Sequence, residues 1–153
     1  MDTKLLNKTI IITVLSLLLI SNYTFSDAQD KREGLLVLQV IMQEMDTNMQ
    51  GITHAISYED WAVVAEIAPL IANHPKPPAK EMSQILAYLG DEIAIFKGMD
   101  MKTHNSASEL AISAAQHDGN KIISNFATLQ QTCLACHERF RQPFQNHFYM
   151  LQN

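Results

Sequence analysis

The chain has 153 residues, with 11 Lys and Arg against 16 Asp and Glu and a formal net charge of −5 with histidines neutral. A mildly acidic protein of this kind is a poor partner for nucleic acid or for an anionic membrane surface, both of which select a basic face. The length supports one core and one domain.

Lys4 and Lys8 precede an uncharged apolar run of 11 residues, 10–20, and Ser26 and Ala28 follow the small-residue rule for cleavage. Residues 1–28 therefore read as a secretory signal peptide. The run is short against the roughly 20 residues of a membrane helix, which favours export and removal over an uncleaved anchor, so no stable membrane insertion is expected. Cleavage leaves one domain, 29–153, and removes two Lys and two Asp, so the net charge stays at −5.

From there the apolar residues Leu35, Leu38, Met42, Met45, Met49, Ile52 and Ile56 recur in steps of three and four, the pattern of a bundle helix with one buried stripe. Ser57 and Asp60 are spaced as a capping box for a second helix, whose Trp61, Val64, Ala68 and Ile71 share a face. The stretch "NHPKPP", 73–78, ends it. A long connection follows, with a helical excursion over 80–97 terminated at Gly98. A third bundle helix is expected over 101–117, with Ala107, Ala111 and Ala114 on one side and "HDGN" at its end. The last runs over 121–142, puts Ile122, Phe126, Leu129, Cys133, Cys136, His137 and Phe140 on one stripe, and stops at Pro143. No strand pattern appears. The expected fold is all-α: an up-and-down antiparallel four-helix bundle with a long helical connection between the second and third bundle helices.

Both cysteines of the chain fall in "CLACHERFR", 133–141. An exported chain with two cysteines ordinarily forms one disulfide, but the C-x-x-C-H spacing points elsewhere. Two thiols can add across the two vinyl groups of a haem while the adjacent imidazole takes the iron. The thioethers would come from Cys133 and Cys136, and the axial nitrogen from His137. A thioredoxin-like dithiol is the weaker alternative, because such a pair opens a helix after a strand. Zinc is weaker still, since a structural site wants four ligands and no second Cys/His pair offers the spacing.

These residues, with Phe140 and Arg141 and their place on the last of four helices near the C-terminus, resemble the class II c-type cytochromes, the cytochrome c′ family. The resemblance implies one covalent haem c with its iron, His137 on its proximal side, and a residue of the first helix facing the other side. That facing residue separates two functions. A methionine there makes a low-spin, periplasmic electron carrier serving transient redox partner proteins, which is no enzyme. An apolar residue leaves a five-coordinate iron that binds nitric oxide or carbon monoxide. Laying "VIMQEM" over the family's first helix selects Met42 as the distal ligand, with Met45 and Met49 as lesser choices and core packing as their plain role. The family's propionate-binding arginine has no counterpart, since Leu38 and Gln39 stand in that region. Arg141, one turn past His137, takes that part in this reading, with Lys31 and Arg32 behind it and a solvated helix end as its plain role. The histidines at 54, 74, 104, 117 and 147 read as surface or core filling. The tail "FQNHFYMLQN" is too apolar to float and is expected to pack back on the bundle or to join a homodimer contact.

Overall fold

The helix ends follow from local chemistry, with one exception supplied from across the molecule. The computed structural model describes residues 36–149, and every regular element among them is helical. α1 spans Val37–Ser57, α2 Trp61–Ala72, α3 Ala79–Leu89, α4 Ile93–Ala115 and α5 Gly119–Phe144, with a 3-10 turn at Gly90–Glu92 and a π-helical turn at Gln145–Tyr149. The signal segment, Lys31, Arg32, Leu35 and residues 150–153 lie outside the described residues. Among the described residues no helix is long and apolar enough to cross a membrane.

α1 has no capping side chain of its own. Glu81 of α3 reaches over instead, and its two carboxylate oxygens accept from the backbone N–H of Val37 at 2.9 Å and of Leu38 at 2.7 Å. Two of the four donors that a helix start leaves open are thereby satisfied, by a negative charge that suits the positive end of the helix dipole. α2 is capped by Asp60, which accepts from the Val63 N–H at 3.2 Å. Ser57 does not join it, since its hydroxyl donates to the Thr53 carbonyl at 2.9 Å; the expected capping box reduces to a single cap. Asp118 caps α5 in the same way through the Lys121 N–H at 3.1 Å.

Two chain breakers depart from expectation. Gly98 lies inside α4, and the break falls at Gly90, with φ 51° and ψ −119°, a conformation that a Cβ opposes. The excursion is thus α3 plus the first turns of α4, and the third long helix begins at Ile93 rather than near Met101. Pro143 lies inside α5 and does not stop it. An interior proline costs about 3 kcal/mol, but Phe144 and Phe148 beyond it pack with Phe140, Phe96 and Tyr88, the Phe144–Phe148 ring centroids being 5.5 Å apart. Burying each such ring contributes about 1.5–3 kcal/mol, enough to carry the helix past the break. The tail therefore packs back on the body as far as Tyr149, which is half-buried.

The buried residues divide into two clusters. The larger draws on four helices, with Ile52 of α1, Val64 and Ile71 of α2, Leu110 of α4, and Ile122 and Leu129 of α5 at its centre. Ala107 and Ala114 are fully buried there, and such small side chains let α4 come close to both α2 and α5, its two main neighbours. The smaller cluster joins Ile85 and Leu89 of α3 to Phe140 and Phe144 of α5. On α1, Met45, Met49 and Ile52 face the larger cluster as expected. One step earlier the inward position belongs to Ile41, 2 % exposed, while Met42 is 37 % exposed. Steps of three and four from Leu38 reach either residue, so periodicity alone could not choose between them.

Candidate functional site

Cys133, Cys136 and His137 occupy successive turns in the second half of α5. The stripe that begins at Ile122 and Leu129 continues into Cys133 and Cys136, because positions three and four apart stay on one side of a helix; His137, expected on the same stripe, is instead exposed, since one residue past Cys136 turns it about 100° away. Cys133 packs against the larger cluster and Cys136 against the smaller, so the pair sits where the two meet. Neither forms a disulfide. Burial pushes the Cys133 thiol up. It pushes the Cys136 thiol up to about 11, with smaller contributions from the Asp100 carboxylate and from Cys133.

The imidazole of His137 stands on the outer side of the same turn, and among the described residues it has no hydrogen-bond or ion-pair partner. Its pKa lies below the ordinary value through desolvation first and the Arg141 guanidinium second. A neutral imidazole with a free nitrogen is what a metal ligand must be. Arg141 itself is exposed and lies one turn past His137 on α5. Arg139 is committed elsewhere, pairing with Glu92 at 2.9 Å and lying over the Phe140 ring.

Two thiols one helical turn apart against apolar surface and an adjacent imidazole without a partner among the described residues are groups that could hold a covalently attached haem. The methionines of α1 are differently placed. Met42 belongs to neither cluster, whereas Met45 and Met49 pack on the larger one. A cleft of about 560 Å³ opens between α1 and the end of α2, lined among others by Ile41, Met45, Pro69, Asn73 and His74, but not by either cysteine or His137.

A second constellation escaped sequence reasoning. His74, in the proline-bounded segment after α2, stacks on His104 of α4 with ring centroids 4.7 Å apart. Asp100, one turn before His104, lies between them, 3.6 Å from His74 Nε2 and 3.4 Å from His104 Nε2. Its carboxylate raises the His74 pKa, and its own is lowered by the two imidazoles, chiefly by His74. The only linear trace of this group is Asp100 and His104 at i and i+4; His74 is brought in by tertiary structure. His54 and His147 remain outside, their rings against Tyr58 and Tyr88 respectively, and His117 forms the α4–α5 turn with φ 55°.

No protein-family model matches the chain, and no curated protein matches it significantly.

Proposed function

We propose that this chain is a periplasmic, single-haem c-type cytochrome of class II that passes single electrons between transient redox partner proteins. In this reading α1, α2, α4 and α5 are the up-and-down antiparallel bundle, and α3 belongs to the long connection. The observation that carries it is the disposition of Cys133, Cys136 and His137: both thiols against apolar surface and free of a disulfide, and the next residue an imidazole with no hydrogen-bond or ion-pair partner among the described residues. Cys133 and Cys136 would hold haem c through thioethers, His137 would take the iron on the proximal side, and Met42 the distal side. The group supplies a one-electron iron couple whose potential follows axial ligand and burial.

The chain's own residues bind and insulate. Leu129, Phe140 and Phe144 exclude water from the inner side of α5. Arg141, one turn past His137, would neutralise a propionate.

A second reading, a five-coordinate haem binding nitric oxide or carbon monoxide, is favoured by one observation: the residue of α1 turned inward at this level is the apolar Ile41, not Met42.

The purified exported protein is expected to be heavier than its chain by one haem, with no reactive thiol, and the Cys133→Ala/Cys136→Ala variant to lose that mass. Colourless protein with two reactive thiols would overturn the assignment. For the distal side, a low-spin ferric spectrum that becomes high-spin on Met42→Ala supports electron transfer. A parent protein already high-spin and binding carbon monoxide hands the function to the second reading.

A further inference from the structure

We propose that His74, Asp100 and His104 form a site for one divalent transition-metal ion, represented by Zn²⁺, separate from the Cys133–His137 turn and independent of whether that turn carries haem.

The outer nitrogens of the two rings fix their tautomers. His74 Nδ1 lies 2.9 Å from the Pro75 carbonyl oxygen, and His104 Nδ1 is hydrogen-bonded to the Ala72 carbonyl oxygen. A carbonyl oxygen only accepts, so both Nδ1 atoms carry their hydrogen, and each neutral ring presents a lone pair at Nε2. Those two lone pairs face the two oxygens of Asp100, at 3.6 Å and 3.4 Å. Acceptor meets acceptor. Protonating one ring leaves the other conflict in place, and protonating both stacks two cations whose planes are inclined by only 27°. A single cation bound by all three groups removes the conflict.

The distances agree. Both separations exceed the 2.7–3.2 Å of an ordinary N–H···O hydrogen bond. They are near the roughly 3.3–3.4 Å between neighbouring ligands around an ion with bonds of about 2.0–2.1 Å, one running to each Asp100 oxygen, so that the carboxylate would span the ion. The three ligand atoms all fall within 4.8 Å of one another. Backbone carbonyls that fix the tautomer and direction of metal-binding imidazoles are the usual outer shell of such sites. The rings are largely sheltered, with side-chain exposures of 12 % for His74 and 26 % for His104, while Asp100 at 48 % opens to solvent. His74 also forms part of the wall of the cleft beside α1, which gives an ion a route in.

Two imidazoles and one carboxylate select zinc and its first-row neighbours over calcium or magnesium, which take oxygen ligands almost throughout. Three protein ligands also leave a coordination position open for water or an exchangeable group, unlike a closed structural site.

The test uses the full purified protein, stripped with chelator and titrated with Zn²⁺ in a calorimeter, beside His74→Ala, His104→Ala, Asp100→Asn and Cys133→Ala/Cys136→Ala. One Zn²⁺ per chain is expected. Each of the three ligand variants should weaken it by at least the roughly 10–100-fold that loss of an outer-shell partner alone costs, with folding of each verified by circular dichroism. The cysteine variant should retain it. X-ray absorption of the zinc-loaded parent should show nitrogen and oxygen neighbours at about 2.0–2.1 Å and no sulfur shell near 2.3 Å. Less than one ion per chain, equal binding by Asp100→Asn, a sulfur shell, or binding that disappears with the cysteines would each overturn the site.

Discussion

The two apolar clusters are built from different materials. The larger is aliphatic and alanine-rich, assembled from four helices; the smaller is dominated by Phe140, Phe144 and Phe96 and joins α3 to the far end of α5. Aliphatic and alanine side chains let helix backbones approach closely, so the larger cluster sets how α2, α4 and α5 lie against one another. Rings fill a wider gap and tolerate irregular backbone around them. At the aromatic end α5 runs through Pro143 and into a π-helical turn, while beside the aliphatic cluster α2 runs through Pro69 with no such irregular turn after it. The cysteine pair sits at the boundary and reports on both.

Phe144→Ala should break the comparison most sharply. Truncating a buried ring costs about 3–5 kcal/mol, and without it the proline penalty is no longer offset. Urea unfolding should show the loss, and amide exchange should accelerate from Pro143 onward while the Leu110 region stays protected. Exchange that stays slow beyond Pro143 would show that the aromatic cluster does not hold that segment.

Leu129→Ala, in the aliphatic cluster, should cost about 2–5 kcal/mol and act on the whole molecule, because the cluster it belongs to is drawn from four helices. A purely local change in exchange around residue 129 would show that the larger cluster is not one cooperative unit.

The glycines sharpen the comparison at lower cost. Gly98 sits inside α4 with nothing within 4 Å of where a Cβ would stand, so Gly98→Ala should stabilise by about 0.5–1 kcal/mol. Gly90→Ala meets equally open space but has φ 51°, and should destabilise by about 1–2 kcal/mol. Opposite shifts in melting temperature check the pair; shifts of the same sign would place the helix break elsewhere.

The smallest effect is electrostatic and lies outside both clusters. In metal-free protein, His74 has a pKa raised above its ordinary 6.5. Its contribution is therefore complete below pH 6.5 and lost as the pH rises through the raised value. Asp100 has a pKa lowered below 3.8, so its contribution holds above that value and is lost as the pH falls through the lowered one. The stability difference between the parent and Asp100→Asn should thus be largest between about pH 4 and 6.5 and shrink on either side. Melting curves in chelator across pH 3–9 test this, and a difference independent of pH would deny the interaction.

Much of the architecture was readable residue by residue. The stripe from Ile122 through Leu129 and Cys133 to Phe140 is inward-facing as its spacing requires. The turn at "HDGN" lies where α4 gives way to α5. Periodicity was less decisive where two apolar residues adjoin, as at Ile41 and Met42. It was also silent on Glu81, a surface carboxylate in the linear chain that becomes the cap of a helix 43 and 44 residues away.

Local and periodic properties were thus settled by the chain alone: the helical character of each long segment, and the grouping of two thiols and an imidazole within five residues. Tertiary structure decided which of two glycines breaks the chain, whether a proline ends a helix, and which distant groups meet at Asp100. The physical reason is that short-range hydrogen bonding and side-chain spacing depend on near neighbours. A buried ring that outweighs a proline, or a histidine carried in from a preceding loop, depends on contacts that exist only once the helices have come together.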